Sequence, residues 1–243
     1  MKKNNQTPEP ENYDVSTFRT IRRAIGYLAI SLPLILVGFS YIKFFDTPLQ
    51  ISISHYYYSN LRDIFTGTLS AVGLFLISYK GHINVSFWKN DKLLTNIAGV
   101  MALGVAFVPT DPHCSFDKIY TLIPYDLKWL GWLHYGFAGV LFLILALLAI
   151  NVFTIGQKNE THIPKSVIDE NNIYVFCGSA ILVFMIIIPF QLFTYSTLVF
   201  EALSLFVFGI AWLIKGRALG EILKEEIYRE TSSANNGEKV FEE

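Results

Sequence analysis

Residues 133–153 read LHYGFAGVLFLILALLAINVF, an apolar run without a single Asp, Glu, Lys or Arg. At about 1.5 Å of rise per residue it makes a helix of roughly 30 Å, the thickness of a bilayer's hydrocarbon core. Lipid offers the backbone no hydrogen-bond partners, so a segment crossing it pairs its own amides and carbonyls as a helix. Working outward, the same reading applies to residues 24–44, 63–79, 93–108, 173–190 and 194–214. The runs at 63–79 and 93–108 are short. Pro33 falls inside the first run, where neighbouring helices can satisfy the freed backbone groups. The expected fold is all-α: a polytopic transmembrane bundle of six spans.

Composition agrees. Hydrophobic residues make up 52% of the 243-residue chain and charged residues only 16%, against roughly a quarter in soluble domains. The charges sit in short clusters between the runs, so their distribution matters more than the net charge of -1. Residues 1–18 read as a polar tail, 19–216 as one membrane domain, and 217–243 as a charged helix fading into a disordered end. The polar start and the length of the first run predict no cleavable signal peptide. Of the 19 Lys and Arg residues, all but Lys43, Arg62, Lys118 and Lys128 share one side when the N-terminus is cytoplasmic. The positive-inside rule then predicts both termini in the cytoplasm. The two cysteines, Cys114 and Cys177, form no CxxC motif, and no disulfide is expected between them.

That topology collects the polar chemistry on the outer side. SISHYYYSNLRD (52–63) joins the first two spans, TDPHCSFD (110–117) follows the third, and His134 begins the fourth. Glu201 lies inside the sixth span. An ionisable group at such depth is costly and usually faces the bundle interior with a partner. Arg62 and His134 are the candidates for that partner, and headgroup contact is the alternative. His55, Asp63, Asp111, His113, His134 and Glu201 are all expected within reach of one outward pocket. Zinc takes His, Cys and carboxylate ligands, so His55, Asp111, His113 and His134 are candidate metal ligands, although neither HExxH nor HxxxH occurs. Asp63 can cap the second span or act as a catalytic carboxylate. Ser54 beside His55 does not make a hydrolase pair, since adjacent side chains rarely face each other and no GxSxG elbow occurs. Along the second span Asp63, Thr66 or Gly67, Ser70 and Gly73 share a face, and Asn96, Gly99 and Ala102 do so on the third. Such faces let helices approach closely. No phosphate loop, dinucleotide fingerprint or nucleic-acid patch is present.

The string SISxYYxxxxRDxFxG (Ser52 to Gly67), with NIAG at 96–99, GVAFVPT at 104–110 and FGIAWLIKG ending at Gly216, resembles a bacterial family of six-span membrane proteins of unknown function. That resemblance implies an inner-membrane protein, and it leaves the position of His55 open. A remoter similarity is to the alkaline ceramidase and adiponectin-receptor hydrolases, seven-span enzymes holding zinc with three histidines. Ser54, Asp63 and His134 occur in a similar order, whereas the paired histidines of the last motif and one span are missing. Three functions follow. The first is a binding protein whose outer pocket, with Ser54, Tyr57, Arg62, Asp63, His134 and Glu201, takes a lipid headgroup or small ligand. The second is a membrane-embedded lipid hydrolase, zinc-dependent in one version, with Asp63, His134 and Glu201 as candidate catalytic groups. The third is a small transporter, against which the missing repeat halves argue.

Overall fold

The computed structural model describes residues 13–81, 83–112, 121–156 and 170–216. Among them the chain is helical with no strand. The α-helices are α1 (Tyr13–Ser40), α2 (Arg62–Ser78), α3 (Asp91–Phe107), α4 (Lys128–Leu147), α5 (Glu170–Ile187) and α6 (Ser196–Lys215). A π-helical turn, Leu148–Val152, extends α4. The six stretches coincide with the apolar runs, and Pro33 lies within α1 as expected. α1 begins at Tyr13, inside the segment expected as a polar tail. The C-terminal segment 217–243 lies outside the described residues.

Among the described residues, four stretches are long and apolar enough to cross a membrane: Arg19–Ser40, Lys128–Val152, Asn172–Phe190 and Ser196–Lys215. α2 and α3 have 17 residues each, about 26 Å at the α-helical rise and a few ångströms short of the core.

Each helix packs on the next, and α6 closes back on α1, so the six form an up-and-down ring. Two crossings are glycine on glycine. A Cβ on Gly73 would lie 2.9 Å from the carbonyl oxygen of Gly99, and one on Gly99 would lie 2.6 Å from that of Gly73. Gly26 of α1 and Gly209 of α6 repeat the arrangement at 2.9 and 2.8 Å. Backbones this close leave room only for hydrogen, which is the packing mode that holds helices together where lipid removes the hydrophobic driving force. The small faces expected on α2 and α3 meet at Gly73 and Gly99, whereas Gly67 has nothing within 4 Å.

The ring has two distinct ends. At one, the entry to α1 and the exit from α6 lie together, with Arg23 Nε donating to the carbonyl of Gly216 at 3.0 Å. Arg22 donates to the Tyr79 hydroxyl and lies over its ring. Trp212 is completely buried there, with its ring against those of Tyr79, Phe153 and Phe208. Lys215 donates to the Phe153 carbonyl at 2.8 Å and faces the rings of Phe153 and Tyr174. The other end is closed by the segment between α1 and α2.

Candidate functional site

Residues Ser54–Tyr58 form a short 3₁₀-helix in which every residue is buried. The sequence starts this turn locally. Ser52 Oγ accepts the His55 amide at 3.1 Å, as a serine does ahead of a helical turn, and Ile53 O accepts the Tyr56 amide. The three tyrosines then tie the segment to the ring. Tyr56 Oη meets Ser40 Oγ of α1 at 2.7 Å, and Tyr57 Oη donates to the carbonyl of Phe107 at the end of α3. Tyr58 Oη donates to the Thr110 carbonyl. Burial pushes all three phenols above their ordinary range, so they stay protonated as donors at physiological pH. The segment is a plug, bonded to the ends of α1 and α3 and to Thr110 just beyond α3.

Glu201 holds the plug from below. Its Oε2 accepts the Ile53 amide at 2.7 Å. One helical turn earlier on α6, the Leu198 amide donates to the Ile51 carbonyl at 3.0 Å. A carboxyl at the start of a 3₁₀ turn satisfies amides that the turn itself cannot pair. The interior partner expected for Glu201 therefore exists, but it is plug backbone and neither Arg62 nor His134. Arg62 instead lies over the Tyr57 ring at 4.4 Å and donates to its hydroxyl. His134 Nδ1 meets the Val108 carbonyl at 2.7 Å.

Beneath the plug is a cavity of about 30 Å³, room for a water molecule or two. Ser54 and Glu201 are its polar lining side chains; Phe65, Leu69, Leu141 and Phe142 are among the apolar ones. Glu201 is the one ionisable group in that lining. The carboxyl thus faces plug backbone on one side and a small, mostly apolar cavity on the other.

The expected convergence on one pocket does not occur among the described residues. Asp63 is exposed in the first turn of α2, and no side chain caps that helix. Asp111 is exposed beside Gly131. His134 is completely buried, and its Nε2 has no hydrogen-bond partner among the described residues. His113 and Cys114 lie outside the described residues. No three His, Cys, Asp or Glu side chains come together as a metal-holding group among those described. Cys177 is a buried free thiol.

Two features carry no clear sequence signature. Ser52 Oγ and His55 Nδ1 are 2.6 Å apart and both residues are buried, so the contact joins i to i+3 and not the adjacent Ser54. The second is the cluster of Trp212, Tyr79, Phe153 and Arg22, drawn from four separate parts of the chain. Compared with known family models, curated proteins and solved structures, the chain matches none.

Proposed function

We propose that the chain is a six-span protein of a bacterial inner membrane, with both termini in the cytoplasm, that binds a lipid headgroup or small ligand at its plugged, outward-facing end. The observation that carries this reading is Glu201, an ionisable group inside a spanning helix, set against the plug's Ile53 amide and lining a cavity with Ser54. Intramembrane ionisable groups mark functional sites because their burial is costly. A cavity of about 30 Å³ admits water but no headgroup, so a ligand enters as the plug shifts and takes over its contacts. Tyr57 and Arg62 at the plug's edge would meet the ligand first. A carboxyl as the one ionisable wall group favours headgroups carrying an ammonium over purely anionic ones. Purified protein titrated with phosphoethanolamine, phosphocholine and glycerol phosphate should gain thermal stability in that sense, by about 2.7 kcal/mol at a hundredfold excess over Kd. The gain should vanish in Glu201→Ala. No stabilisation by any of the three contradicts the reading.

A membrane-embedded hydrolase is the second reading, and the Ser52–His55 contact supports it. A hydroxyl hydrogen-bonded to an imidazole is the arrangement that activates a serine nucleophile. This version needs no zinc. A fluorophosphonate probe should then label Ser52 covalently in the intact protein and fail on Ser52→Ala and His55→Ala. An unlabelled wild-type protein leaves Ser52 as the plug's capping residue alone.

A further inference from the structure

The connection between α2 and α3 lies at the ring end away from the plug, and it is folded tightly. Asn84 Oδ1 accepts the Ser86 amide at 3.0 Å, and Asn90 Nδ2 donates to the Asn84 carbonyl at 3.0 Å. Asn90 also caps α3 by accepting the Leu93 amide. A short 3₁₀ turn, Phe87–Lys89, completes the connection. Side-chain bonds of this kind fix a turn in one conformation. Yet the large apolar residues of this pinned turn face outward: Val85 is fully open, Ile83 is 77% exposed, Phe87 45% and Trp88 55%, with the Phe87 and Trp88 rings packed edge to face. Exposed lysines border the turn, Lys80 and Lys89 in the connection and Lys92 in the first turn of α3.

Apolar side chains with an indole, flanked by lysines, match one surface in particular. A bilayer interface takes up the aromatic and aliphatic groups at headgroup depth, and the ammonium groups pair with anionic phosphates. We propose that this turn is a built-in anchor that inserts into the headgroup region of an anionic leaflet, with Lys80, Lys89 and Lys92 selecting the negative lipids. The occupant is the lipid surface. The choice rests on the six-span reading, which sets the ends of α2 and α3 at a membrane interface, where an indole beside lysines matches an anionic headgroup layer. This anchor is independent of the ligand site, which lies at the opposite end of the ring.

The test uses the full chain in nanodiscs of phosphatidylcholine, with or without phosphatidylglycerol. With Cys114→Ser and Cys177→Ser as background, Val85→Cys carries an environment-sensitive dye. The dye's emission should shift to the blue in both discs and further in the anionic ones. Lys80→Gln, Lys89→Gln and Lys92→Gln together should abolish the added shift while leaving thermal stability unchanged. Water-like emission in anionic discs overturns the proposal and leaves the patch to a protein partner. An anionic effect that survives the triple substitution overturns the assignment of selectivity to these lysines.

Discussion

Leucine in place of Gly99 will push α2 off α3 and leave little folded protein. A Cβ at this position already lies 2.6 Å from the Gly73 carbonyl and 2.6 Å from Ile77 Cγ1. The first of these is backbone inside a helix and cannot rotate away. Overpacking costs typically about 1–3 kcal/mol and occasionally more, and a leucine in a backbone-to-backbone contact belongs at or above the top of that range. With total stabilities of about 5–15 kcal/mol, the loss shows as a large drop in unfolding temperature or as aggregation on extraction. Gly99→Ala should cost about 1–3 kcal/mol by the same clash. Gly67→Ala is the control. Nothing lies within 4 Å of its Cβ position, and alanine favours the helix by about 0.5–1 kcal/mol. Thermal unfolding in one detergent ranks the three; equal stability of Gly99→Leu and wild type would refute the close crossing.

The second large effect is at Glu201. Removing its carboxyl in Glu201→Ala takes the acceptor from the Ile53 amide and leaves that donor buried without a partner, at a cost of about 1–3 kcal/mol. The loss should be local. Leu198 still donates to the Ile51 carbonyl and the tyrosines still hold Ser40, Phe107 and Thr110, so the plug loosens at its first turn before the ring does. Glu201→Gln keeps an oxygen acceptor and should lose much less. Equal losses in the two variants would mean that the carboxyl's charge, and not its acceptor role, matters.

The helices were legible because lipid demands long apolar segments, and the run at 133–153 shows this most plainly. α2 and α3 were legible from shorter apolar runs of the same kind, and the small-residue faces expected on them meet at Gly73 and Gly99. The site was harder to read. Glu201 announced itself as an interior carboxyl, but its partner is a backbone amide 148 residues away, and backbone amides leave no trace in a sequence. Arg62 and His134 were plausible partners by charge alone, and geometry gave them to Tyr57 and Val108. SISHYYYS read only as a polar, aromatic connection on the outer side, and nothing in it told a buried turn from a surface one. Its burial is compatible with its polarity because the three tyrosine hydroxyls find partners on Ser40, Phe107 and Thr110.

Amide hydrogen exchange through Ile53 to Tyr58 in the detergent-solubilised protein bears most directly on the plugged ring. The Ile53 and His55 amides should exchange as slowly as those in the middle of α1 and α6. In Glu201→Ala the Ile53 amide should speed up by about tenfold to a hundredfold, the equivalent of the acceptor's contribution. Exchange of the wild-type segment at the rate of an open loop, unaltered by the substitution, would contradict the plugged ring.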